Sequence, residues 1–238
     1  MRVTPTRMPG GGRPWLRRCG VWCCRREGTE LSYAEIAFDG FVKARQEARG
    51  VGNRVDTSGA SGSELDPRDM KLIRQARMFM MSTVTGTGWP YVQHKGGPAG
   101  FVKVRTVGGR SQLMFPDFAG NRQFVTAGNL DRDDRVCLFF VDFTTRSRVK
   151  VFGHAHTTED PEIIEQLRDL KDARITSVIE RAVVVDVVAS DANCSKQITP
   201  RWTREEVEER IDLYRKDIAE RDARIAELEA QLAEAGRG

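Results

Sequence analysis

The sequence predicts a mainly β protein, an antiparallel barrel with peripheral helices, followed by one long C-terminal helix. Three observations predict it. Short strand-like segments crowd residues 78–189, with few helical patterns between them. Glu180 to Ala189 is an almost continuous apolar run, as expected of a strand deep in a sheet. From Val207 the pattern changes to Val207, Ile211, Tyr214, Ile218, Arg221, Ile225, Leu228 and Leu232, a heptad seam with one Arg in it.

Composition narrows the class. A chain of 238 residues with 39% hydrophobic and 30% charged content reads as globular with charged appendages. Its longest apolar runs, such as Val136 to Val141, cannot span a bilayer. The net charge of +4 is misplaced as a clue. Residues 1–28 hold seven Arg and one Glu, which leaves −2 on residues 29–238, so no nucleic-acid partner is expected. The same stretch carries Cys19, Cys23 and Cys24 without a second Cys or His pair for zinc, and no apolar run for a secretory signal. Residues 1–30 therefore read as a disordered basic tail or an over-extended gene start. Cys137 and Cys194 are single and distant, which suits a reducing cytoplasm.

Taken in order, Tyr33 to Arg49 reads as an amphipathic helix interrupted by Gly40, and Gly50 to Ser63 as a Gly/Ser linker. Residues 31–63 thus precede the barrel. Asp66-Pro67 starts a helix, with Asp as N-cap and Pro in the first turn. Met78 to Val84 is a strand turning over Thr85-Gly86-Thr87-Gly88, a Gly-x-Gly without the third glycine of a dinucleotide site. Strands follow at Tyr91 to Lys95, Phe101 to Arg105 and Ser111 to Phe115, the last two joined at Gly108-Gly109. Asn121 to Ala127 reads as a short helix stopped by Gly128-Asn129. Arg135 to Phe143 and Ser147 to Thr157 form a hairpin, and Asp160-Pro161 starts a further helix. The barrel domain spans residues 64–202. Residues 203–238 form the heptad helix, which pairs with a second copy or lies along the barrel; pairing is the expectation.

The chemistry gathers between Trp89 and Leu130. Gln93, His94 and Lys95 close a strand before Gly96-Gly97, Asp117 sits in a Phe-Pro-Asp-Phe-Ala-Gly loop, and Asn121, Arg122 and Gln123 open the short helix. Two basic side chains, a glycine bend and a helix start are parts that hold a phosphate, and a planar cofactor has room over Gly96 and Gly97. Alternation sends Gln93 and Lys95 to one face and His94 to the other, unless Gly96 bends the chain.

The stretches GWPYVQHKGGPAGFVKV, FPDFAGNRQFVTAGNL, RVCLFFVDF, KVFGHA and NCSKQITPRW, in this order, resemble the split-barrel flavoproteins similar to pyridoxamine 5′-phosphate oxidase. The likeness is to their bacterial branch of predicted flavin-nucleotide-binding proteins and covers roughly residues 65–202. It implies a six-stranded antiparallel split barrel, a homodimer with FMN at its interface, and oxidoreduction of an unidentified small molecule. By the same resemblance, Lys95 and Gly120-Asn121-Arg122-Gln123 hold the flavin phosphate, and the loop with Asn193 and Gln197 closes near the flavin; from their own chemistry, Gln93 can bond a polar ring edge, and Arg201 and Trp202 offer charge and stacking to an anionic aromatic substrate. Pro90 stands where the family pattern has Arg and Gln123 replaces Lys, so the site keeps fewer positive charges than the pattern; the Arg-Leu-Ala-Pro ending is missing, so oxidation of pyridoxamine phosphate itself is not expected. A non-turning-over flavin sensor and a deazaflavin- or haem-binding relative are the alternatives. No catalytic residue is assigned, Cys194 having no base beside it. His154 and His156 share a strand face, but the chain has only three His and no metal is expected. Asp186, flanked by Val, is expected to face solvent from its strand.

Overall fold

A computed structural model describes residues 31–52, 57, 60–168, 170, 178–192 and 196–237. The basic tail, Asn193 and Cys194 lie outside the described residues.

The first helical stretch is two helices, α1 (Tyr33–Ala37) and α2 (Gly40–Ala48). Ser32 and Glu35 form a capping box on α1, and Asp39 accepts from the Val42 N–H to start α2. The break falls at Phe38 and Asp39 because Asp39 competes for the backbone as a cap, while Gly40 opens the second helix instead of ending the first. Within the expected linker, β1 (Ala60–Ser61) pairs with the end of the last strand, Ala60 opposite Asp191. α3 (Pro67–Gln75) follows its Asp66 cap as expected and buries Ile73 and Asp69.

The remaining strands are β2 (Met78–Val84), β3 (Pro90–Gly96), β4 (Lys103–Val107), β5 (Arg110–Phe118), β6 (Arg135–Asp142), β7 (Ser147–Thr158) and β8 (Ile179–Asp191). All pairings are antiparallel, in the order β3-β2-β6-β7-β8-β5-β4. The path thus holds seven strands where six were expected. Among the described residues β3 and β4 do not pair with each other, so the barrel is open along that seam. β4 and β5 turn at Gly108-Gly109, both with positive φ (58° and 80°), the conformation a two-residue hairpin needs. β8 lies between β7 and β5, which explains its unbroken apolar run from Ala182 to Val185.

The core is the inward face of these strands. The Phe79 ring lies 4.9 Å from Phe115, 4.7 Å from Phe140 and 5.8 Å from Phe101, and all four side chains are fully buried. Gly97 serves this core. A Cβ there would stand 2.5 Å from the Phe101 ring, so the space expected for a cofactor over Gly97 is filled by Phe101. Outside the sheet stand α4 (Val125–Leu130), α5 (Pro161–Leu167) and α6 (Arg204–Ala235). A second small cluster, Met114, Leu167, Ala182 and Val184, seats α5 on the outer face of β5 and β8. No helix among the described residues is long and apolar enough to cross a membrane.

Candidate functional site

β3 keeps its pairing with β2 through Gly96, so strand alternation decides where its polar residues go. Gln93 and Lys95 stand opposite Met81 and Phe79, whose side chains are core, and face the barrel interior. His94 stands opposite Met80 on the outer face and is exposed. Its ring lies against Gly96, where a Cβ would be 2.8 Å from His94 Cε1. His94 therefore leaves the expected site: Gly96 does not bend the chain.

Asp117 is in strand rather than loop. Its neighbour Pro116 is tolerated because β4 pairs with β5 only as far as Met114, leaving Pro116 and Asp117 with β8 as their one partner. Asp117 shares the inward face with Leu113 and Phe115, at the interior end where the barrel is split. Lys95 Nζ donates to Asp117 Oδ1 at 2.8 Å, with both side chains largely buried. Arg181, opposite Asp117 on β8, brings Nε to 3.7 Å from Asp117 Oδ2 and Nη2 to 3.0 Å from Glu180. Its guanidinium also lies 4.9 Å from the Phe124 ring centre.

Asn121 to Gln123 precede the short helix instead of opening it. Arg122 and Phe124 take left-handed backbone angles (φ 59° and 53°), and α4 starts only at Val125. The bend is held by Asn121 Oδ1, which accepts the Gln123 N–H at 3.1 Å. An anion here would meet a left-handed bend and the Arg122 side chain, which is exposed and has no ion pair among the described residues. Thr126 on α4 donates to Gln93 Oε1 at 2.6 Å and fixes that amide. Asn129 donates to Thr83 at 2.9 Å and seats α4 over the barrel mouth.

The result is one small cleft of about 90 Å³, which gathers Gln93, Lys95, Asp117, Asn121, Arg122 and Gln123 between Tyr91 and Glu180. Six of the seven cofactor-site candidates meet there. Thr126 and Glu180 were missed by sequence reasoning, as was Arg181. The inward alternation of Arg181, Val183 and Val185 was the signal that could have found the arginine.

Of the substrate candidates, the described Gln197, Arg201 and Trp202 lie elsewhere. Arg201 and Trp202 line a separate groove of about 540 Å³ with Arg77, Val141 and Phe143, and Arg201 lies 5.2 Å from the Phe143 ring centre. Gln197 is exposed in a turn. Within one chain none of these three borders the Lys95 cleft. His154 Nδ1 and Asp134 Oδ1 are hydrogen-bonded at 2.7 Å, and burial holds the His156 imidazole below its ordinary pKa. Among the described residues no cluster of three or more metal-ligating side chains occurs. Asp186 is half-buried and accepts from Gln112 Nε2 at 2.6 Å, while Gln112 accepts from Arg105 at 2.6 Å. Burial raises the Cys137 thiol pKa, so this cysteine is not an activated nucleophile.

Among solved structures, HupZ of Group A Streptococcus is 17% identical to this chain, with a TM-score of 0.40 over 52% of this chain and 90% of that one. A putative pyridoxamine 5′-phosphate oxidase from Lactobacillus delbrueckii is 20% identical, with a TM-score of 0.39 over 54% and 93%. An FMN-binding protein from Syntrophomonas wolfei is 11% identical, with a TM-score of 0.40 over 63% and 95%. No curated protein matches the chain. The family described as pyridoxamine 5′-phosphate oxidase matches residues 65–197, more than half of the sequence, and the chain belongs to that family.

Proposed function

We propose that the protein is an FMN-binding flavoprotein that oxidises or reduces a small molecule, and that it works as a homodimer in the cytoplasm. The observation that carries this reading is the meeting of Lys95, Arg122 and Gln93 in one cleft. The residues present fit part of the cofactor. Lys95, Arg122 and Arg181 stand against Asp117 and Glu180, leaving one net positive charge for a phosphate. Gln93, oriented by Thr126, offers its amide N–H to a polar ring edge. The volume fits only part of it. Pockets for molecules of this size run from roughly 300 Å³ upward, so a cleft of about 90 Å³ holds one end of the cofactor. A second chain supplies the rest of the wall in this reading, which is the support for a homodimer. It also offers a way for Arg201 and Trp202 of one chain to approach the cleft of the other.

Bound flavin would supply the electron transfer, and the protein would supply position and charge. The test is the visible spectrum of the purified protein. The paired bands of an oxidised flavin, lost in the double variant Lys95→Ala with Arg122→Ala while the fold persists, are the expected outcome. A haem or deazaflavin spectrum, or unchanged FMN affinity in the double variant, would reject the assignment. Flavin bound without turnover of any reductant or acceptor would leave a sensor.

A further inference from the structure

The seam of α6 is uncovered. Val207, Ile211, Tyr214, Ile218, Ile225, Leu228 and Leu232 are between 41% and 72% exposed. The helix is tied to the barrel at its first turn, where Thr144 Oγ1 bonds the Arg201 carbonyl at 3.1 Å and reaches Glu206 at 3.4 Å. Beyond that it runs in solvent for most of its length, to Ala235. A regular apolar stripe of this kind is stable against another helix. What covers it is read from the charges on either side.

We infer that α6 pairs with α6 of a second copy of this chain as an antiparallel coiled coil, with Ile218 of each packed on Arg221 of the other. This inference rests on the helix alone and is independent of the flavin reading. In the heptad, Ile211, Ile218, Ile225 and Leu232 take position a, and Val207, Tyr214, Arg221 and Leu228 take position d. The flanking g positions are Arg210, Asp217, Arg224 and Gln231; the e positions are Glu208, Arg215, Asp222 and Glu229.

A parallel pair sets each g residue against the e residue of the next heptad in its partner. Arg210 would then face Arg215 and Asp217 would face Asp222, with only Arg224 facing an opposite charge, Glu229. Arg221 would also face its own copy across the seam. An antiparallel pair sets g against g and e against e. In the register that joins Val207 to Leu232, Ile211 to Leu228, Tyr214 to Ile225 and Ile218 to Arg221, every seam residue has a seam partner. Asp217 then meets Arg224, Arg215 meets Asp222, and Glu208 against Glu229 is the one unfavourable contact. Arg221 lays its stem on an isoleucine, and its head stays with Asp217, which it already reaches at 2.9 Å. In the single chain the other charges turn to their own helix, Arg215 to Asp212 at 3.0 Å and Arg224 to Glu227. These are exposed pairs that hold the side chains weakly.

The orientation is tested by cross-linking in the full chain, with Cys19, Cys23, Cys24, Cys137 and Cys194 changed to Ser. Chains carrying Tyr214→Cys and chains carrying Ile225→Cys, with different affinity tags, are co-expressed and oxidised gently. The antiparallel register brings these two positions together, so a mixed-tag disulfide dimer is expected, and neither variant expressed alone should cross-link. A parallel coil places each position against itself, so efficient self-cross-linking of either variant would overturn the inference. Absence of any cross-link would overturn it too, by showing that the helices do not pair in this way. A second readout uses sign. Asp217→Arg should lower the mixed cross-link severalfold and addition of Arg224→Asp should restore it, whereas in a parallel coil Asp217→Arg would strengthen pairing. Flavin absorbance of the same preparations is read separately and has no bearing on the outcome.

Discussion

Lys95 on β3 and Asp117 on β5 meet at 2.8 Å, although β3 is one end of the hydrogen-bonded path and β5 lies next to the other end, β4. No backbone pairing closes the barrel between β3 and β4 among the described residues, and this ion pair bridges the split. The same lysine is the strongest candidate to hold a phosphate, so it has two competing partners. Closing the barrel and binding an anion draw on one charge.

That competition gives the first prediction. Removing the ion pair should cost stability, with a coupling energy of about 1 to 2 kcal/mol in a double-mutant cycle of Lys95→Met and Asp117→Asn. Equilibrium denaturation of the four proteins measures it. The two single variants should move FMN affinity in opposite directions. Lys95→Met weakens it by about 1.5 to 3 kcal/mol, the scale of a charged hydrogen bond. Asp117→Asn strengthens it, by roughly 1 kcal/mol or about fivefold, because the lysine no longer has to leave a carboxylate. If Asp117→Asn binds FMN as poorly as Lys95→Met, the aspartate holds the cofactor instead of competing with it.

Much of this arrangement was legible in the sequence, and the failures have physical causes. β2 was readable to the residue because alternation and a Gly-rich turn bracket Met78 to Val84. Lys95 and Gln93 were placed on one face by the same period of two. The helix after Gly120 was misplaced because its start depends on left-handed angles at Arg122 and Phe124, and neither residue type announces that conformation. Asp117 looked like loop because Pro116 is a poor strand residue in general. Only the ending of β4 at Met114 makes a proline acceptable there, and that is a fact of topology. The length of α6 was plain from its heptads, since that helix depends on local pattern rather than on the barrel.

The second prediction concerns Gly97, which was expected to make room for a cofactor and instead makes room for Phe101. Gly97→Ala puts a methyl 2.5 Å from the Phe101 Cγ, and Phe101 is fully buried on Phe79. Overpacking of this kind typically costs about 1 to 3 kcal/mol. The loss should appear in full in cofactor-free protein, as a lower denaturation midpoint. A variant of normal stability that fails to bind flavin would return Gly97 to the cofactor site.

The third prediction concerns pH. Asp69, on the first turn of α3, is 4% exposed, and its Oδ2 has no hydrogen-bond partner among the described residues. Burial first, then the nearby Asp66 charge, raises its pKa to about 6. Asp191, which also pushes it upward, is itself held by Lys150 at 3.0 Å. A carboxyl group whose folded pKa lies above its unfolded value favours folding while protonated. Its contribution is fully present below about pH 4 and is lost as pH rises to about 6. Asp69→Asn should therefore leave stability near pH 4 little changed and raise it above pH 6 by about 1 to 2 kcal/mol, somewhat less than the full shift because the charge also favours the helix N-terminus. Denaturation midpoints of both proteins across that range decide it. A variant destabilised at pH 7 would mean that the ionised carboxylate has a favourable partner.

The fourth prediction separates the barrel from α6. The main hydrophobic cluster lies within residues 65–187, and no residue of α6 is buried. Among the described residues the Thr144 hydroxyl meets the Arg201 carbonyl and Glu206 at the start of the helix, and exposed contacts of this kind are worth little. A chain ending at Trp202 should therefore fold, melt within a few degrees of the full chain and keep the Lys95 cleft intact. If the barrel dimerises through its split face to complete the flavin site, the shortened chain stays dimeric and coloured, and only the helical cross-link is lost. Light scattering beside flavin absorbance reads both properties in one experiment. A shortened protein that is monomeric and colourless would mean that α6 holds the two barrels together, and that the cleft depends on the helix to bring its second wall.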